Sequence, residues 1–171
     1  MNNSINANER PSPWLTAGRV VFTLALAGCI AFIFSNSMKI ASVSSTSSGR
    51  VLTLLQDILR RMGHPALARR LTDHIVRKMA HFCEYMLEGF LLMRCMRVYT
   101  RRYVRHLSVP LLGGVLTALT DETIQLFSPG RSSQVTDVWL DSAGVLVGIL
   151  AALVFMALCR LLFHHAKRRN Q

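Results

Sequence analysis

Val20 to Met38 contains no charged residue, and that run constrains the fold more than any other feature of the chain. About 20 mostly apolar residues in a helix cross a bilayer core. Ser142 to Cys159 is a second such run, extended backwards to Val135. His106 to Phe127 is a third, apolar until Asp121 and Glu122 near its end. Ile75 to Met96 is interrupted by Arg77, Lys78, His81, Glu84, Glu88 and Arg94. Its Met79, Phe82, Met86, Phe90 and Met93 nevertheless favour burial over an amphipathic helix on a surface. The expected fold is all-α: a polytopic membrane helix bundle with four transmembrane helices. The spans are about 18–38, 75–96, 106–127 and 135–162, within a single domain over 1–171.

Composition agrees with a membrane chain, with 51% hydrophobic and 17% charged residues. The net charge of +11 raises the question of nucleic acid. The basic residues lie between apolar stretches, not on an aromatic-bearing polar surface, so no nucleic acid is expected. They read as topology determinants and contacts to membrane lipids. Arg94, Arg97, Arg101, Arg102 and Arg105 crowd the short link between spans two and three. Lys167, Arg168 and Arg169 follow span four, and Arg10 and Arg19 precede span one. The positive-inside bias puts all three groups, and both termini, in the cytoplasm. The link from span one to span two and the loop Ser128 to Gln134 are then outside.

Cys29, Cys83, Cys95 and Cys159 all fall in apolar stretches without a CxxC pair, which reads as packing and not as disulfides or zinc ligands. Leu26-Ala27-Gly28-Cys29 resembles a lipoprotein cleavage box. The apolar residues continue past the cysteine to Phe34, so span one is expected to be retained as a helix. Ser42 to Gly49 reads as a flexible link. Val51, Leu54, Leu55, Ile58, Leu59 and Met62 then recur at helical spacing, predicting a short outer amphipathic helix over about 50–62, stopped by Gly63.

Ionisable residues inside a membrane are costly and point to function. Lys78, His81, Glu84, Tyr85 and Glu88 share one broad face of span two. Glu88 lies about 15 Å along the helix from Lys78. Span three ends with Asp121, Glu122 and Gln125, and span four opens with Asp137 and Asp141. Gly144 and Gly148 continue that face, where a neighbouring backbone can approach. The expected topology gathers all these groups, with Arg131, at the outer end of the bundle.

Lys78-x-x-His81-Phe82-x-Glu84-Tyr85, Asp121-Glu122-x-x-Gln125-x-Phe127-x-Pro129-Gly130-Arg131 and Asp137-x-x-x-Asp141-x-x-Gly144-x-x-x-Gly148 occur in that order. Together with Phe34-Ser35-Asn36-Ser37, they resemble the VanZ-like family over most of the chain. The resemblance implies a bacterial inner- or plasma-membrane protein in the setting of the cell envelope. The family's namesake is associated with antibiotic resistance, to the glycopeptide teicoplanin. The link from Ser42 to Asp73 is long for smaller members, so its role transfers least.

Three functions fit the residues. The first is an outward-facing site for an anionic envelope lipid or lipid-linked precursor, as an enzyme or as a binding site. Lys78 and Arg131 would hold phosphate, with Tyr85 and Gln125 as further ligand contacts. His81 would move a proton, tuned by Glu84 or Asp121. Glu122, Asp137 and Asp141 would complete the chemistry, with a divalent cation such as Mg²⁺ or Ca²⁺ possible among the acids. The second is a small proton-coupled transporter using Glu84 and Glu88. The third is a non-catalytic scaffold or interaction protein whose charges fix helix register. No HExxH or GxSxG motif is present.

Overall fold

The computed structural model describes residues 13–39, 41–130 and 134–169. Among these, six α-helices run α1 Pro13–Ser37, α2 Ala41–Arg61, α3 Pro65–Arg70, α4 Asp73–Tyr99, α5 Ser108–Leu126 and α6 Val135–Arg169, with a 3-10 turn at Tyr103–His106 between α4 and α5. The all-helical expectation holds. Among the described residues, two helical segments are long and apolar enough to cross a membrane, Thr16–Ser37 and Val135–Leu162.

The outward faces match an apolar solvent. On α5, Val109, Leu112, Leu116 and Leu119 are all exposed, a stripe at helical spacing. On α6, Leu146, Leu150, Val154, Leu158 and Leu161 are likewise exposed. Continuous apolar surface of this kind is rare on water-facing proteins.

α4 is the hub, packing against α1, α2, α5 and α6. Its start is set by Thr72, whose hydroxyl accepts from the Ile75 backbone N–H at 3.4 Å, an N-cap that satisfies one orphan donor of the first turn. Glycines let α4 and α6 touch backbone to backbone. A Cβ on Gly148 would lie 1.9 Å from the Met86 carbonyl oxygen, and one on Gly89 would lie 2.2 Å from that of Val145. The approach expected at Gly144 and Gly148 is therefore present, and Gly89 answers it from the other helix. The core that results contains Ile33, Tyr85, Met93, Ala118, Val145, Ile149 and Met156.

The flexible link expected over Ser42 to Gly49 is helical instead. It forms the first part of α2, and the helix expected over 50–62 is its continuation. Serine has only moderate helix propensity, so tertiary contacts decide this segment. The Ser48 hydroxyl donates to the Asp73 carboxylate in the first turn of α4, and Gln56 Nε2 donates to the Leu71 carbonyl at 3.1 Å. Leu52, Leu55 and Leu59 turn partly inward, while Val51, Leu54, Ile58 and Met62 are exposed. Gly63, at φ +83°, ends the helix as expected.

Candidate functional site

The N-terminal ends of α4 and α6 and the C-terminal end of α5 meet around a cleft of about 160 Å³. α4 brings His74, Arg77, Lys78 and His81. α5 brings Glu122 and Gln125. The turn and α6 bring Gly130, Gln134, Asp137, Leu140 and Asp141. Six of the residues singled out in the sequence thus share one cavity: Lys78, His81, Glu122, Gln125, Asp137 and Asp141. Arg131 lies outside the described residues.

Each wall has a local reason. Lys78 Nζ donates to Asp137 Oδ1 at 2.6 Å, both side chains about one quarter to one third exposed. Glu122 Oε2 accepts the Gln134 backbone N–H at 3.0 Å. That places a carboxylate at the start of α6, where orphan donors and the helix dipole favour negative charge. Gly130 has φ +78°, the left-handed conformation that lets the turn from α5 close beside this contact. Ser128 Oγ donates to the Ser37 carbonyl at 3.0 Å, tying the turn to the end of α1.

Glu84, Tyr85 and Asp121 stand behind the cleft, not in its lining. Glu84 Oε1 accepts from Asn36 Nδ2 at 2.9 Å, and its Oε2 lies 3.7 Å from His81 Nδ1. Lys39 Nζ in turn donates to Asn36 Oδ1 at 2.7 Å. A polar chain therefore runs Lys39, Asn36, Glu84, His81 from the end of α1 to the cleft. Asp121 is fully buried, with Oδ2 accepting from Gln125 Nε2 at 3.0 Å. Glu84, not Asp121, is the acid beside the imidazole. The i, i+4 spacing of Asp121 and Gln125 makes them partners along α5.

Among the described residues, Asp141 Oδ1, Asp121 Oδ1 and both oxygens of Glu88 are buried without a hydrogen-bond partner. Tyr85 Oη is equally unpartnered and buried. Thr117 lies near Glu88, but its hydroxyl donates to the Gly113 carbonyl at 3.1 Å. A buried ionised carboxylate without a partner is costly, so each of these oxygens calls for a proton, a cation or a ligand donor. Among the described residues no three His, Cys, Asp or Glu side chains are disposed to hold a metal ion.

His74 and Arg77 line the cleft without having been singled out in the sequence. Positions 74, 77, 78 and 81 recur at i, i+3, i+4 and i+7, one face of a helix. Extending the polar face of α4 back one turn finds them. Arg77 also reaches Asp73 Oδ2 at 3.4 Å. Asn36 belongs to the polar cluster closing span one, and its partner on α4 is set by packing.

The sequence pattern of the VanZ/LLP1 family matches residues 20–158. No curated protein and no solved structure matches the chain. The matched stretch contains every side chain described around the cleft and the glycine contacts that hold α4 against α6, and the chain belongs to the VanZ/LLP1 family.

Proposed function

We propose that the chain is a four-span membrane protein whose cleft binds the phosphate-bearing headgroup of an anionic envelope lipid or lipid-linked precursor. The observation that carries this reading is the level of the cleft. It is bounded by Asp137, at the start of one apolar segment, and backed by Asn36, at the end of the other. Lipid headgroups occupy that level of a bilayer. His74, Arg77, Lys78 and His81 supply donors on one side. Arg77 and Lys78 are already balanced by Asp73 and Asp137, so an anionic headgroup competes with the carboxylates for them.

His81 is the group able to pass a proton to or from a bound headgroup, with Glu84 orienting its ring. Asp141 on the cleft floor accepts a headgroup hydroxyl or a headgroup-bound cation. In a bacterial plasma membrane with both termini cytoplasmic, the cleft faces outward. Holding a lipid-linked precursor there would lower teicoplanin susceptibility by competing for the glycopeptide's target.

The test is headgroup binding to the purified protein in nanodiscs of a zwitterionic lipid doped with a phosphate-bearing anionic lipid. His81→Ala and Lys78→Ala should weaken binding about tenfold each, the scale of one charge-assisted contact. Unchanged binding in both variants, with the fold intact, sinks the reading.

A second reading, proton-coupled carriage, draws on the unpartnered oxygens of Asp141, Asp121 and Glu88. It requires proton flux in liposomes that Glu88→Gln abolishes. The headgroup reading requires no flux.

A further inference from the structure

The opposite end of the bundle is built from different chemistry. No Asp or Glu occurs in 13–37, 89–120 or 142–169, the segments that run from the cleft to that end. From Glu88, the last acid of α4, to Tyr99 is about 16 Å along the helix axis. Arginines collect there, in two tiers.

The first tier is docked on aromatic rings. The Arg94 guanidinium lies 4.7 Å from the Phe22 ring centroid and 5.4 Å from that of Phe155. Arg97 and Arg160 lie 5.1 and 5.9 Å from the Tyr103 ring. These cation–π contacts tie α4, α1 and α6 together around the buried Tyr103.

The second tier has no such use. Arg101, Arg102 and Arg105 are exposed and surround a shallow, open depression with Val104. Among the described residues no carboxylate pairs with any of them. Their backbone is nevertheless fixed. The Arg102 N–H is bonded to Thr100 Oγ1 at 3.2 Å and the Arg105 N–H to the Arg102 carbonyl at 3.0 Å. Tyr103 anchors the turn into the core between them. Three guanidinium groups are thus presented on a fixed turn where the bundle ends, with Val104 exposed beside them.

We propose that Arg101, Arg102 and Arg105 form a second lipid site, which binds the phosphate headgroup of an anionic phospholipid in the leaflet opposite the acid-bearing cleft. Guanidinium forks match phosphate oxygens in paired hydrogen bonds. Val104 gives the acyl or glycerol portion an apolar contact. The site rests on the four-span reading proposed above but not on what the cleft binds.

The test uses the full-length protein in detergent with phosphatidylglycerol carrying a photoreactive group near its headgroup. Labelling is read on the peptide containing Arg101 to Arg105. Saturable labelling is expected, displaced by unlabelled phosphatidylglycerol but not by phosphatidylcholine or inorganic phosphate. The triple variant R101Q/R102Q/R105Q should weaken labelling about 100-fold, and R105Q alone about fivefold, as three and one surface arginines would. R60Q/R61Q/R69Q, which removes the same charge from exposed arginines elsewhere, should label as the parent does. If the triple variant fails to fold, R105Q and the competition on the parent protein decide. Equal displacement by phosphatidylcholine, displacement by inorganic phosphate, or equal weakening by R60Q/R61Q/R69Q overturns the proposal.

Discussion

Lys78 Nζ meets Asp137 Oδ1 at 2.6 Å and joins α4 to α6 at the edge of the cleft. The pair is neither fully exposed nor fully buried, so its worth lies between that of a surface ion pair and a buried one. Lys78→Ala and Asp137→Ala should each destabilise the protein by about 1–2 kcal/mol. The double variant should cost less than their sum by about 1 kcal/mol, because the second removal loses no further interaction. Reversible unfolding in mixed micelles measures the cycle. Strict additivity would show that the pair contributes nothing.

The backbone contact between α4 and α6 leaves no room for a methyl group. Gly148→Ala places Cβ against the Met86 carbonyl at 1.9 Å, and Gly144→Ala places one 2.7 Å from that of Phe82. The Gly148 variant should lose about 3 kcal/mol or fail to assemble, as severe overpacking does. Gly28→Ala meets nothing within 4 Å and should be neutral or slightly stabilising. Thermal stability by size exclusion in detergent separates the two. Equal melting of the Gly148 and Gly28 variants would contradict the contact.

Asn36 and Glu84 give a charge-sensitive test of the polar chain behind the cleft. Asn36→Asp replaces the donor at 2.9 Å from Glu84 Oε1 with a second carboxylate. It keeps the acceptor for Lys39 Nζ but turns the contact with Glu84 into repulsion, so it should destabilise the protein by about 1 kcal/mol relative to the parent. Glu84→Gln keeps an oxygen acceptor and should be milder than Glu84→Ala. An Asn36→Asp variant as stable as the parent would exclude this contact.

Single cysteines in a background lacking Cys29, Cys83, Cys95 and Cys159 test the proposed four spans. His64, Arg102 and Gln134 are all exposed, before α4, between α4 and α5, and between α5 and α6. If α4 and α5 both cross, His64→Cys and Gln134→Cys react with an impermeant reagent from outside and Arg102→Cys only after permeabilisation. Labelling of all three from one side would leave α4 and α5 on a single face of the membrane.

Much of this protein is legible along the chain because its elements are long and its charges sparse. Helices occupy all four stretches read as spans, and two of them, in α1 and α6, are among the described residues apolar and long enough to cross a membrane. Six of the side chains singled out converge on the cleft because helical periodicity fixes which residues share a face. Where reading failed, the deciding force was not local. Ser42 to Gly49 has the composition of a linker but is helical, packed beside Asp73 of α4. Arg77 reads as an interruption of a span but lines the cavity. His74 sits one residue before the expected span, and its place in the cleft follows from the packing of α4 against α6.

The sequence by itself determined the apolar helices, the separation of acids from arginines, and the glycines at 144 and 148. Each follows from residue type and spacing, which solvent and backbone geometry act on directly. Only the tertiary structure decided that Lys78 pairs with Asp137, that Glu84 rather than Asp121 stands beside His81, and that Asn36 joins them from α1. Periodicity gives the direction in which a side chain leaves its helix. Which neighbour it meets depends on how closely and at what height two helices pack, and that is set by Gly89, Gly144 and Gly148 acting together.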